Sequence, residues 1–171
     1  MRGRSSRDEV VQIEDVPQSS IGAPLPVLLS DEQRVVLAYL LEEPDPSWDG
    51  TEVRVVDQQS EGAIAIVTFD GYASYRFGMP NDEAFHGHPL ASRGLGPYRV
   101  FEVRRSSWVR ELERMNSVHP QHRPEDFDAL KHFVFAFHDS TFECAARAFE
   151  IEIVRGTLEG VLPRMQELLG W

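Results

Sequence analysis

The chain has 171 residues, with 28 acidic and 17 basic side chains, a net charge of −11 and a single cysteine, which suits one domain without an internal disulfide. A field of this sign repels phosphate backbones and anionic lipid headgroups, so we expect a protein or small polar ligand as partner, and neither nucleic acid nor a membrane. No apolar run of about 18 residues and no charged-then-apolar leader is present, and Lys131 is the only lysine beside the arginines, which together predict a bacterial, cytoplasmic protein.

The N-terminal part predicts a tail followed by a strand. Residues 1–24 lack apolar periodicity, and we expect a mobile tail there because its ordering entropy would go uncompensated. Residues 25–43 fit two interpretations. Ser30 and Gln33 have the capping-box spacing of a helix, whereas the β-branched apolar run ends at Pro44 after too few residues for a stable helix, which favours a strand.

The next segment predicts more strands. Residues 51–56 alternate apolar and charged side chains, as a half-buried strand does. Residues 64–69 and 72–77 flank Asp70 and Gly71, a pair that tolerates the positive φ angles of a two-residue hairpin turn. A single long strand with a glycine bulge is the alternative.

Residues 78–97 have three prolines, four glycines and no sustained period, so we expect a long irregular excursion of the kind in which function collects. A strand is predicted over 98–103. Ser106 or Ser107 then caps a helix, whose apolar stripe comprises Trp108, Val109, Leu112 and Met115.

The C-terminal part predicts a short helical turn from Pro124, a strand over 132–138, a returning strand over 142–154 and an amphipathic helix near the C-terminus. The order of elements predicts an α+β fold. It consists mainly of an antiparallel β-sheet with two or three short helices packed on one face or end, in a single domain over 25–171.

The usual phosphate-loop, dinucleotide, paired-cysteine, zinc-protease and nucleophile-elbow motifs are absent from the sequence, so no cofactor is assigned. All six histidines lie between residues 86 and 138. The predicted ligand-binding residues belong to one loop and comprise Asn81, Asp82, Glu83, His86 and His88. Imidazole and carboxylate groups also bind zinc, iron or manganese, so a metal site of His86, His88 and Asp82 is an alternative.

A second group of candidates lies at residues 137–144. A thiol nucleophile needs a histidine and an acid, and His138, Asp139 and Cys144 supply these residue types. His119 is a further catalytic candidate, because His119 or His138 would carry the proton in an acid–base enzyme built on the His/Asp/Glu loop. The competing interpretation, which we favour, is that Asp139 makes the hydrogen bonds of a turn and Cys144 packs in the core.

Three blocks of sequence, PNDEAFHGHPL (80–90), WVRELERMNSVHPQH (108–122) and FHDSTFEC (137–144), resemble an uncharacterised bacterial protein family over the central two-thirds of the chain. The resemblance implies no activity, but it suggests that the polar loops converge at one end of the sheet. Because the net charge is negative and no catalytic set is complete, we predict a non-catalytic binding or accessory protein that recognises a protein or small polar ligand through these loops. The alternative is a small metal-dependent or acid–base enzyme that uses the His/Asp/Glu loop.

Overall fold

The computed structural model describes residues 8–21, 26–44 and 57–170, and in them antiparallel strands form two sheets. The five-stranded sheet has the order β1-β6-β7-β8-β5 and the four-stranded sheet the order β2-β3-β4-β9. The strands are β1 Glu9–Gln12, β2 Val27–Ser30, β3 Arg34–Leu40, β4 Gly62–Asp70, β5 Ser74–Gly78, β6 Arg99–Arg104, β7 Lys131–Ala136, β8 Thr141–Ala146 and β9 Glu150–Gly156, and the α-helices are α1 Ser107–Asn116, α2 Pro124–Asp128 and α3 Leu162–Leu169. The predicted α+β class with antiparallel strands is confirmed, although the strands divide between two sheets.

The two sheets pack face to face through a core rich in aromatic side chains. Strand alternation turns Phe133 and Phe135 of β7 and Phe142 of β8 inward, where they meet Phe69 of β4. The ring centroid of Phe69 lies 5.9 Å from that of Phe135 and 5.5 Å from that of Phe142. Each such ring contributes about 2 kcal/mol or more through burial, so this layer is a major source of stability.

The helices cover opposite outer faces, whereas the sequence suggested one face or end. On the four-stranded sheet, Met165 and Leu169 of α3 pack against apolar side chains of β3 and β4. On the five-stranded sheet, Trp108 and Val109 of α1 pack against Ala145, and two 3-10 turns at Phe85–Gly87 and Ala91–Arg93 cover the rest. Both outer faces need a cover because both carry apolar residues.

The hairpin predicted around Asp70 and Gly71 is wrong, and so is the single long strand. β4 pairs with β3 on one edge and with β9 on the other, so neither edge is left for β5. The chain instead crosses from the four-stranded to the five-stranded sheet at Gly71, whose φ of +63° suits glycine. The predicted strand over 142–154 likewise divides into β8 and β9, which belong to different sheets.

Within the described residues 26–43 the chain forms strands and no helix, which confirms the strand interpretation, but the strands are two and form the hairpin β2–β3. Asp31 makes its turn by accepting hydrogen bonds from the backbone N–H groups of Gln33 and Arg34, each at 2.7 Å. The capping-box spacing around Ser30 thus marks a turn rather than a helix, because the same short polar side chains serve both.

Part of the stretch that we expected to be a tail is paired with the domain. β1 pairs with β6 over Glu9 to Gln12, and Ser19 forms an isolated bridge with Leu41. The hydrogen bonds between β1 and β6, and the packing of Ile13 and Val16 on the core, compensate the conformational entropy that this segment loses when it is ordered.

Two further expectations concern single segments. Met115 of the predicted α1 stripe is 62% exposed, whereas Trp108, Val109 and Leu112 of the same stripe pack against the domain. The strand predicted over 51–56 lies outside the described residues. In the ranges that are described, no helix has the length and apolarity that crossing a membrane requires.

Candidate functional site

Among the residues that the structure describes, two groups of polar side chains on the five-stranded sheet contain predicted site residues. The first group is the Glu143 cluster, which comprises Arg76, His88, Ser106, His132 and Glu143. It lies on the outer face because Phe133, Phe142 and Cys144 occupy the inward positions of β7 and β8, which turns the alternate residues outward. His132 pairs with Ala145 and Glu143 with Val134, so the side chains of His132 and Glu143 are diagonal neighbours on β7 and β8.

Three side chains surround the Glu143 carboxylate. His132 Nε2 lies 2.8 Å from Oε2, while His88 Nε2 and Arg76 Nη1 lie 3.7 Å and 3.9 Å from Oε1. The Glu143 side chain is only 12% exposed, and this burial raises the pKa of Glu143. The neighbouring rings of His132 and His88 outweigh that effect and bring the pKa down to about 2. The carboxylate is therefore ionised under ordinary conditions.

The hydrogen bonds of both histidines fix where their protons lie. The Leu90 backbone N–H donates to His88 Nδ1 at 3.1 Å, so a neutral His88 ring carries its proton on Nε2, toward Glu143. The ionised Glu143 carboxylate can only accept, so His132 Nε2 donates to it at 2.8 Å. A neutral His132 ring then accepts at Nδ1 from the Ser106 hydroxyl at 2.9 Å. Both Nε2 atoms are then donors, and this polarity opposes metal binding, which needs a free nitrogen lone pair.

The Glu143 cluster ties together three elements of the fold. Ser106 is the N-cap of α1, His88 follows a 3-10 turn, and His132 and Glu143 belong to the sheet. Ser106, His132 and Glu143 have the residue types of a nucleophile, base and acid. Ser106 is only 6% exposed and its hydroxyl is engaged on both sides, so this chain of hydrogen bonds serves the scaffold.

The second group is the Tyr98 cluster, which comprises Asp82, Tyr98, His138 and Asp139. The strand registers explain why these residues meet: Gly78 pairs with Thr141 and Arg99 with Ala136, so the segments that precede β6, follow β5 and join β7 to β8 leave the same end of the sheet. A backbone hydrogen bond of 2.8 Å from Asp82 N–H to the His138 carbonyl holds two of these segments together.

Side-chain contacts within the Tyr98 cluster are close. The Tyr98 hydroxyl donates to Asp82 Oδ2 at 2.5 Å, His138 Nδ1 lies 3.0 Å from Asp139 Oδ1, and His138 Nε2 lies 4.0 Å from Asp82 Oδ2. The His138 side chain is 43% exposed. The structure thus brings together the predicted site residues Asp82, His138 and Asp139, with one ring open to solvent.

Neighbouring carboxylates dominate the titration of this cluster. The hydrogen bond to Asp139 raises the pKa of His138 against the opposing effect of burial, and the charge of Asp82 adds to the rise. Burial raises the pKa of Tyr98, and its hydrogen bond to Asp82 raises it further. The hydrogen bond from Tyr98 in turn lowers the pKa of Asp82. The local field is negative, and the Tyr98 hydroxyl keeps its proton.

Tyr98 also lines a cavity of about 310 Å³. The cavity lies between the segment that follows β1 and the start of β6, and its lining residues are Gln12, Ile13, Glu14, Asp15, Val16, Pro17, Gln18, Tyr98, Arg99 and Val100. The φ angle of Tyr98 is +59°, a left-handed conformation that is costly for a bulky residue, at about 1–3 kcal/mol. Tyr98 thus belongs both to the cavity wall and to the Tyr98 cluster.

The remaining predicted site residues are dispersed. His86 and His119 are exposed, and the His119 Nδ1 atom accepts a local backbone hydrogen bond from Gln121. Asn81 closes a turn by accepting from the Ala84 N–H, and the Glu83 N–H donates to Asp82.

The metal alternative is not assembled, because His86 is exposed, His88 lies in the Glu143 cluster and Asp82 in the Tyr98 cluster. Across the described ranges, no group of three or more His, Cys, Asp or Glu side chains is arranged to hold a metal ion.

Cys144 is fully buried between the sheets. Burial raises the pKa of its thiol, so the reactive thiolate is suppressed. His138 lies in the Tyr98 cluster at the end of the sheet, whereas Cys144 lies in the core between the sheets. The thiol, the imidazole and the carboxylate are therefore close in sequence but do not form a nucleophilic group. The favoured interpretation of a packed cysteine agrees with this placement.

Sequence reasoning missed Tyr98, His132, Glu143 and the cavity segment. The assignment of residues 1–24 to a tail removed 12–18 from consideration. A signal for Glu143 was present, since it is the single charged residue in the apolar run of β8 and faces outward by alternation. Tyr98 gave no comparable signal, because its role depends on a backbone conformation that composition does not reveal.

Comparison with known proteins gives no family to which the site can be referred. No protein-family model, curated protein or solved structure matches the chain.

Proposed function

We propose that the protein is a non-catalytic binding protein of the bacterial cytoplasm, and that its ligand site is the cavity beside the Tyr98 cluster. The observation that carries this proposal is the double role of Tyr98, which lines the cavity and donates a hydrogen bond from its hydroxyl to Asp82. A strained backbone at such a position is typical of functional sites. The cavity volume of about 310 Å³ is at the lower end of the range for small-ligand sites.

The position of the cavity supports the same function. The segment that follows β1 lines the cavity together with the start of β6. Because β1 and β6 are paired strands of the sheet, the sheet holds the lining residues in place. The loops that follow β5 and β7 leave the same end of the sheet. Binding residues on loops that a scaffold positions are the common arrangement in proteins. The ligand would be a small polar molecule or a single side chain of a partner protein, since the cavity has no room for more.

The test is an NMR titration of the full chain with a panel of small polar compounds of both charges. We expect at least one compound to cause saturable shifts of backbone signals from residues 12–18 and 98–100. Tyr98→Phe removes the hydrogen bond to Asp82 and should weaken binding. Tyr75→Phe is the matched control, because Tyr75 also donates or accepts one hydrogen bond, with Ser30 at 2.9 Å, but does not line the cavity. The absence of any saturable shift at the cavity would contradict the proposal.

An acid–base enzyme is the second candidate, and one observation favours it. His138 combines an exposed ring with a carboxylate partner at 3.0 Å, which is the arrangement of a histidine that transfers protons. If the protein is an enzyme, His138→Gln should abolish turnover of a bound compound. The same compound should still shift the NMR signals of the cavity residues in this variant. Unchanged chemistry of every bound compound over long incubation would leave binding as the function.

A further inference from the structure

The charges around the cavity select among possible ligands. Glu14, Asp15 and Arg99 are the lining residues with charged side chains. Arg99 Nη1 donates to Gln12 Oε1 at 2.9 Å, and Gln12 Nε2 donates to Glu14 Oε2 at 2.9 Å. The single cationic group of the lining is thus already engaged in a chain of hydrogen bonds that ends on a carboxylate.

Asp15 differs from Glu14 in having no such link. It is exposed, and within the described part of the chain none of the hydrogen bonds or ion pairs involves its carboxylate. A carboxylate on a cavity wall without an internal partner is an acceptor that a ligand can use at no cost to the fold.

Tyr98, which also lines the cavity, has no free hydrogen-bond donor in its side chain. The hydroxyl proton of Tyr98 is directed to Asp82, so the phenol oxygen is left with lone pairs only. The negative charges of Asp82 and Asp139 both act on Tyr98. An aromatic ring in a negative field attracts a cation to its face, whereas it disfavours an anion.

From these observations we propose that the cavity binds an organic cation, an ammonium or guanidinium group, held between the Asp15 carboxylate and the Tyr98 ring. This inference rests on the proposed function and adds the class of ligand. The volume of about 310 Å³ accommodates one amino-acid side chain or a small free amine. The net charge of −11 draws such a cation toward the protein from a distance.

The test compares two probes that differ in charge but hardly in shape. N-acetylarginine amide carries a guanidinium group, and N-acetylcitrulline amide carries a neutral urea in its place. In an NMR titration of the full chain at low salt, we expect the arginine probe to bind about tenfold more tightly, which corresponds to about 1.4 kcal/mol. Raising the salt to about 0.2 M should weaken the arginine probe and leave the citrulline probe unaffected.

Two variants connect the expected preference to the cavity. Asp15→Asn should reduce the difference in affinity between the arginine and citrulline probes several-fold. Asp128→Asn, which removes the carboxylate of an exposed residue on α2, should leave this difference unchanged. Agmatine and a Gly-Arg-Gly peptide with blocked termini then distinguish the sources. Tighter binding of the peptide indicates a side chain of a partner protein, and tighter binding of agmatine indicates a free amine.

The outcomes separate this inference from the function on which it rests. Equal binding of the arginine and citrulline probes, or a preference for an anionic compound, would overturn the cation class and leave a polar binding site. If no compound of either charge produced saturable shifts at the cavity, both proposals would be wrong.

Discussion

His132 and Glu143 face each other diagonally across β7 and β8, with 2.8 Å between Nε2 and Oε2. The side chains of both residues are almost buried, at 3% and 12% exposed. Through Ser106 the same interaction reaches the N-cap of α1, and through His88 it reaches the loop that covers the sheet. An ionised carboxylate thus holds three elements together, and its charge is tolerated because donors surround it.

Replacement of Glu143 by Gln keeps the size of the side chain and removes its charge. We expect the free energy of unfolding to fall by about 2 kcal/mol, because hydrogen bonds to an ionised group are stronger than neutral ones. Chemical denaturation at neutral pH measures the change. Glu150→Gln on β9, where the residue is exposed, is the control and should change stability by less than about 0.5 kcal/mol. Equal stability of the two variants would show that Glu143 contributes no charge-dependent stabilisation.

The same carboxylate predicts a loss of stability in acid. The pKa of Glu143 is about 2 in the folded chain against an ordinary value of 4.5, so between these values the unfolded chain binds a proton that the folded chain does not. The contribution is fully present above about pH 4.5 and is lost as pH falls toward 2. Unfolding measured from pH 6 downward should therefore show the wild type approaching Glu143→Gln. A constant difference between them at all pH values would contradict the lowered pKa.

How far sequence reasoning reached depends on the range of the interactions involved. Local patterns identified β3, β7 and α3 and narrowed the cap of α1 to Ser106 or Ser107, because alternation and capping act between near neighbours. The change of sheet at Gly71 was not predictable in this way, since it follows from β4 being paired on both edges by strands distant in sequence. The Asp70–Gly71 pattern fits a hairpin, and only long-range pairing decides against it.

The candidate site shows the same limit. Asp82, His138 and Asp139 were all chosen from their loops, and the structure brings them together because strand registers align the loop ends. The metal alternative joined His86 and His88 on their two-residue spacing, yet a 3-10 turn exposes the first and buries the second. In an irregular segment the spacing of two residues does not determine where their side chains point. The positions of the two imidazoles in this loop were therefore not predictable from the sequence.

His138 and Asp139 predict a shift that can be observed directly. The hydrogen bond from His138 to Asp139 raises the pKa of the imidazole above its ordinary 6.5, so the folded chain holds this proton more firmly than the unfolded chain. The associated stability is fully present below pH 6.5 and is lost as pH rises through the folded pKa of His138. An NMR titration of the His138 ring should show the raised pKa in the wild type.

In Asp139→Asn the pKa of His138 should move down toward 6.5, because the amide removes both the charge and the strongest hydrogen-bond acceptor. Asp128→Asn serves as the control for a general reduction of negative charge, and it should leave the His138 titration almost unchanged. If both variants shifted His138 equally, the cause would be the overall field of the acidic protein rather than the contact at 3.0 Å.

Cys144 predicts a thiol that is protected by the fold. Its side chain lies between the sheets with no exposed surface, and burial raises the pKa of the thiol, so both access and ionisation oppose reaction. Alkylation by iodoacetamide, followed by mass spectrometry, should be negligible in the native protein and complete in denaturant. Cys144→Ala should destabilise the fold by about 1 kcal/mol through the lost sulfur contacts, and Cys144→Ser should cost more because the hydroxyl enters an apolar core. Rapid, stoichiometric alkylation of the folded chain would instead mean that the two sheets separate readily, and the aromatic layer around Phe69 would then not be the rigid core that positions the Tyr98 cluster.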